Sequence, residues 1–217
     1  MTELAQYLEH TLLKPDATVA DIINLCEDAK KYQLGGVCIN PCYVALARHL
    51  LTGTGVKVIT VIGFPLGATY PEVKVLEAKM AAENHADEID MVMNISAFKT
   101  GDYLAVENEI KMVVEAAQPC PVKVIIETAL LTDDEKRKVC QVVIAGGAKF
   151  VKTSTGFAKS GATVSDVLLI KEEIAGSGLG IKAAGGIRDA STAKAMIEAG
   201  ATRIGTSVGN LIVAEDI

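Results

Sequence analysis

Tryptophan is absent from the 217 residues, and aromatic side chains make up only 4% of them. So few rings leave no base-stacking platform for single-stranded nucleic acid, and a formal charge of −6 argues against any nucleic-acid surface. No apolar run approaches the roughly 18 residues that a membrane span needs. Nor does an apolar signal segment open the chain, where Glu3, Glu9 and His10 interrupt the pattern. The three histidines, His10, His49 and His85, are too dispersed to suggest a zinc site. Cys38 and Cys42 miss the CxxC spacing of a redox pair. Five cysteines, an odd number, point to free thiols and a cytoplasmic setting. What remains is a soluble chain rich in Val, Ile, Ala and Leu, without membrane or nucleic-acid partners.

Short β-branched runs alternate with longer helical patterns along the whole chain. Strands are expected at Gly36–Asn40, Val56–Ile62, Glu88–Asn94, Val122–Glu127, Phe150–Ser154, Gly180–Ala184 and Thr202–Thr206, with a weaker eighth at Glu9–Leu13. Helix starts are marked by Thr18, Thr69, Thr132 and Thr163, each three residues before an acidic side chain. Pro71 falls in a first turn, where its missing N–H costs nothing. Gly35, Gly146, Gly176 and Gly200 mark helix ends. Strand–helix alternation implies parallel pairing with right-handed crossovers. Eight such units predict a single (β/α)8 barrel, a TIM barrel, as one domain over residues 1–217. An open doubly wound sheet is the alternative, but no GxGxxG follows an early strand.

Strands covered by helices normally read as unbroken apolar runs. Here they split by parity. Ile89, Met91 and Met93 oppose Glu88, Asp90 and Asn94; Val122, Val124 and Ile126 oppose Lys123, Ile125 and Glu127. Lys152 and Lys182 fall on the corresponding charged face of the next two strands. Since helices pack on the apolar set, Asp90, Lys123, Glu127, Lys152 and Lys182 are expected to converge inside the barrel. An interior ion-pair network would place them the same way, but ionisable groups at strand C-terminal ends favour catalysis.

Lys152 and Lys182 share inward parity on consecutive strands, which lie roughly 5 Å apart. Mutual repulsion and desolvation are expected to lower both lysine pKa values and free an amine for attack on a carbonyl. Pairing of each lysine with Glu127 or Asp90 would leave them charged. The glycines Gly185, Gly186, Gly205 and Gly209, with Ser207, follow the last two strands, where barrels often hold a phosphate on backbone N–H groups. Ser154, Thr155 and Gly156 are expected to add donors.

Several segments resemble one family in the right order. These are His10-Thr-Leu-Leu-Lys14-Pro15, Gly63-Phe-Pro-Leu-Gly67, Glu88-Ile-Asp90-Met-Val-Met-Asn94, Val151-Lys152-Thr-Ser-Thr-Gly156-Phe157 and Ile181-Lys182-Ala-Ala-Gly-Gly-Ile187-Arg188. Together they resemble deoxyribose-phosphate aldolase from about residue 8 to residue 209. The resemblance implies a class I aldolase on a (β/α)8 barrel, a lyase needing neither metal nor cofactor. Its phosphosugar substrate would be 2-deoxy-D-ribose 5-phosphate, cleaved reversibly to acetaldehyde and D-glyceraldehyde 3-phosphate in deoxyribose phosphate catabolism.

The same resemblance makes Lys152 the Schiff-base lysine, Lys182 its perturbing neighbour and Asp90 the proton-transferring acid. Cys38 would line the site, Thr155 would contact substrate, and Lys123 and Glu127 count among the substrate-binding residues. Gly156, Gly185, Gly186, Gly205 and Ser207 would cradle the phosphate. Phe157 stands where some members carry a lysine, so backbone dipoles are expected to neutralise the phosphate there. A homo-oligomer is implied as well. Two other readings are a phosphosugar isomerase or epimerase using Asp90 and Glu127 as acid and base, and a non-catalytic phosphosugar-binding barrel.

Overall fold

A computed structural model describes residues 3–216. Eight parallel strands close into a barrel in chain order: β1 (Leu8–Leu12), β2 (Gly36–Ile39), β3 (Lys57–Ile62), β4 (Glu88–Val92), β5 (Val122–Ile125), β6 (Phe150–Lys152), β7 (Gly180–Ala184) and β8 (Arg203–Thr206). β8 pairs back onto β1, so no strand edge is left open. Around them run α1 (Val19–Lys31), α2 (Val44–Leu51), α3 (Pro71–Glu83), α4 (Ile95–Lys99), α5 (Tyr103–Ala116), α6 (Asp133–Ala145), α7 (Val164–Glu173), α8 (Ala190–Ala199) and α9 (Gly209–Glu215). Among the described residues no helix is long and apolar enough to cross a membrane.

The expected (β/α)8 barrel is therefore present, and the parity argument explains its two cores. Ile89, Met91, Val122, Val124, Val151 and Ile181 pack outward, in the apolar layer between strands and helices. The inward face carries a smaller apolar patch, Leu13, Cys38, Ile59 and Val61 with Phe64, and otherwise buried charge. Register sets that charge side by side, because Asp90 pairs with Lys123 on β5 and Lys152 pairs with Lys182 on β7.

Local signals hold with two corrections. Thr18, Thr132 and Thr163 each close a reciprocal capping box, with Asp21, Glu135 and Asp166. Thr69 does not cap α3. Pro71 occupies the first helical position and drives Tyr70 into extended backbone, so Tyr70 is the cap and makes no side-chain bond. Gly35 and Gly176 lie beyond the helix caps, Tyr32 and Ile174, whereas Gly146 and Gly200 are caps. After α1 the Leu34 N–H bonds back to Ala29, which fixes the left-handed residue at Gln33 (φ 51°).

β4, β5 and β6 stop two residues before their expected ends. The C-terminal end of β4 is tied down from outside the barrel by a buried ion pair, Lys74 on α3 with Glu109 on α5, at 2.6 Å. Lys74 also donates to the Val92 carbonyl at 2.9 Å, and Glu109 accepts from the Asn94 N–H at 3.0 Å. Both contacts fall within four residues of Asp90.

Candidate active site

Three lysines meet one aspartate inside the barrel. Asp90 Oδ1 accepts from Lys123 Nζ at 2.9 Å, while Oδ2 accepts from both Lys152 Nζ at 2.7 Å and Lys182 Nζ at 2.6 Å. Lys182 also bonds Glu9. Lys123 lies 2.6 Å from Glu88 and 3.6 Å from Glu9. At the N-terminal mouth of the barrel, Lys57 pairs with Glu88, and Arg203 reaches Glu9 at 3.7 Å. Thus, among the described residues, Lys123 has three carboxylates within ion-pair range, Lys182 has two, and Lys152 has only the Asp90 that it shares.

That inequality separates the lysine pKa values in direction. Burial disfavours charge on every one of these lysines. For Lys123 and Lys182 the surrounding carboxylates overcome burial and raise the pKa, well above the ordinary value for Lys182. At Lys152, burial together with the Lys182 charge outweighs Asp90, and the pKa is lowered. Asp90 itself is fully buried, yet the lysines hold it well below the usual carboxylate range. The expectation that both inward lysines are depressed is thereby corrected: only Lys152 is. Lys182 keeps its charge supported because Glu9, on β1 just beyond β8, bonds it as well.

The C-terminal end of the barrel opens into a cleft of about 220 Å³ that Lys152 lines. Thr155, Gly156, Gly185, Gly186, Gly205 and Ser207 line it too, which brings the proposed phosphate residues together with the depressed lysine. Gly205 serves a further purpose, since a Cβ there would stand 3.1 Å from the Lys182 side chain. Asp90, Lys123 and Lys182 lie outside this lining, fully buried. Cys38 is buried as well, its Sγ 4.0 Å from Asp90 Oδ2, and burial pushes its thiol pKa up.

Two expected placements are not found. Glu127 does not join the lysines, because β5 ends at Ile125 and Glu127 turns into a left-handed conformation (φ 54°). Its carboxylate faces Thr155 instead. Ser154 does not reach the cleft, since its hydroxyl bonds Thr153 at 3.1 Å, within the stitching of β6 to β7.

Comparison with known proteins bears on the family and the fold. A sequence model described as DeoC/LacD family aldolase matches residues 5–214. The chain belongs to that family of aldolases. Deoxyribose-phosphate aldolase of Streptococcus equi subsp. zooepidemicus is 55% identical over 212 residues, 98% of this chain and 96% of the relative. The enzyme of that name from Aciduliprofundum boonei is 57% identical over 207 residues, 94% of this chain and 93% of its own. Among solved structures, a tetrameric deoxyribose phosphate aldolase from Aeropyrum pernix superposes with a TM-score of 0.91. It is 35% identical and covers 97% of this chain and 89% of its own.

In this aldolase the structure adds residues that the sequence reading did not single out. Glu9 and Glu88 complete the lysine cluster, and Lys14 and Arg188 line the cleft. The cleft therefore contains two cations besides Lys152, although Phe157 is exposed and uncharged. Lys14 and Arg188 follow the ends of β1 and β7 within the quoted motifs, and that position was the available signal.

Proposed function

We propose that this chain, working as one barrel domain, reversibly cleaves 2-deoxy-D-ribose 5-phosphate to acetaldehyde and D-glyceraldehyde 3-phosphate, with Lys152 forming the Schiff base. The observation that carries this reading is the unequal sharing of carboxylates. Lys152, at the cleft, is the lysine whose charge is least supported, while Lys182 on the same Asp90 oxygen stays charged.

A neutral Lys152 amine attacks the C1 carbonyl, and loss of water gives a protonated imine. The C3 hydroxyl loses its proton, the C2–C3 bond breaks, and its electron pair passes to C2 as the iminium becomes an enamine. Protonation at C2 and hydrolysis then release acetaldehyde and regenerate the lysine. Asp90 and Lys182, linked at 2.6 Å directly beside Lys152, supply the proton relay through a water. Backbone N–H groups of the Gly185–Gly186 turn and of the Gly205–Ser207 segment at the end of β8, with Lys14 and Arg188, bind the phosphate.

Borohydride added with substrate, followed by intact mass measurement, tests this function. A single adduct carried by Lys152 is expected. Turnover without any adduct would instead support acid–base isomerisation or epimerisation. The proposed partner of this barrel is a second copy of itself: Val73, Leu76 and Met80 leave an apolar stripe exposed on α3. A homo-oligomer covering that stripe is part of the proposal, and light scattering after size exclusion measures it.

A further inference from the structure

We infer that Glu127 positions Thr155 as an acceptor-only contact for the substrate hydroxyl on C4, the carbon beside the phosphate-bearing one. This inference rests on the proposed cleavage. Glu127 sits at φ 54° and ψ 70°, a left-handed conformation that costs a residue with a β-carbon free energy and persists only when its surroundings enforce it. The side chain is buried, 3% exposed, and both carboxylate oxygens lie 3.3 Å from the Thr155 N–H. Thr155 Oγ1 also donates its proton to Glu127 Oε2. A carboxylate can only accept, so the single hydroxyl proton of Thr155 is committed. The Phe157 N–H donates to the same Oγ1 at 3.0 Å. One lone pair is left, and it can only accept.

Thr155 is shared by two cavities. It lines the catalytic cleft with Lys152 and the glycine turns, and it lines a second cavity of about 450 Å³ with Glu127. A substrate atom meeting its oxygen in the cleft must bring an O–H. The C3 hydroxyl gives its proton to the relay during cleavage, whereas the C4 hydroxyl is intact in both substrate and product. The strained Glu127 turn thus selects for a hydroxyl at C4 without touching substrate, which makes Glu127 a positioning residue.

The test runs in the addition direction with acetaldehyde. It compares kcat/KM for D-glyceraldehyde 3-phosphate with that for the same phosphorylated three-carbon aldehyde lacking the C2 hydroxyl. Wild-type protein is expected to favour the hydroxylated acceptor by about tenfold or more. Thr155→Val should bring that ratio to near one, and Glu127→Gln should lower it at least about threefold with borohydride trapping by acetaldehyde unchanged. In the double variant the ratio should be no lower than in Thr155→Val alone. Thr155→Ser, which keeps the hydroxyl, should retain the preference and serves if Thr155→Val does not fold. A wild-type ratio in Glu127→Gln, or additive losses in the double variant, would overturn the inference. Absence of any adduct in wild-type protein would instead defeat the Schiff-base reading.

Discussion

Replacing Lys182 with leucine removes the like charge beside Lys152 while keeping most of the side-chain bulk. Both ammonium groups bond one oxygen of Asp90, so their nitrogens are separated by at most the sum of those two distances, about 5 Å. At that separation and an effective dielectric of about 20, two unit charges repel by about 3 kcal/mol. The sign follows from the protonation equilibrium. Repulsion destabilises charged Lys152, so relieving it raises the Lys152 pKa and leaves less free amine at neutral pH. Loss of the Lys182 cation also frees Asp90 to support Lys152, which acts in the same direction. Cleavage by Lys182→Leu should therefore be slow at pH 7 and recover partly in alkaline buffer. Recovery stays incomplete because the variant also lacks the relay proton. The assay is a pH–rate profile with borohydride trapping at each pH, alongside a thermal melt to establish folding. Full activity with an unshifted profile would refute the coupling and leave Lys182 as a structural cation.

Three other variants probe separate parts of the cluster. Lys152→Ala should fold yet lose cleavage by at least about a thousandfold and form no borohydride adduct, because Lys152 is the cluster lysine that lines the cleft and burial lowers its pKa. Asp90→Asn keeps Lys152 but cannot accept a proton, so turnover should fall at least about a hundredfold while some imine is still trapped. Glu88 is pushed up by burial but held at about 2 by Lys123 and Lys57, below its ordinary 4.5. Its folded pKa is depressed, so its stabilisation is fully present above pH 4.5 and is lost as pH falls through about 2, a contribution of about 3 kcal/mol. Thermal melts from pH 5 to pH 2 should show that loss in wild-type protein, and Glu88→Gln should start less stable at pH 7 with a shallower decline.

The barrel was legible because its signals are local. Parity in Glu88–Asn94 and Val122–Glu127 identified the inward face, and three capping boxes marked helix starts from four residues each. Asp90, Lys152 and Lys182 could be found together because alternation puts them on one inward face, where strand order sets Asp90 beside Lys123 and Lys152 beside Lys182. Glu9 was missed for the opposite reason. In Leu8–Leu12 neither alternating face is cleanly apolar, and its partner Lys182 is 173 residues away in sequence, brought near only because β8 closes the barrel onto β1. Without Glu9, nothing in the sequence separates the pKa values of the two lysines. Glu127 was misplaced because parity holds only while the strand continues, and a left-handed residue two positions past β5 leaves no compositional trace.

Two buried ionic systems share the end of β4, and their partner counts separate their roles. Lys74 and Glu109 form a one-to-one pair whose remaining contacts go to backbone, to Val92 and Asn94. Such a pair adds little net stability over an apolar replacement, but losing either partner strands a buried charge, so it enforces one position for the strand that carries Asp90. Inside the barrel three buried lysines face three buried carboxylates, and Lys57 and Arg203 compete for two of those from the N-terminal mouth. Positive charge is in excess there, and desolvation makes the excess costly. Charge is least supported where carboxylates are fewest, at Lys152, which of the three is also the one that lines the cleft. The ionic arrangement that lowers the Lys152 pKa therefore extends to the opposite mouth of the barrel.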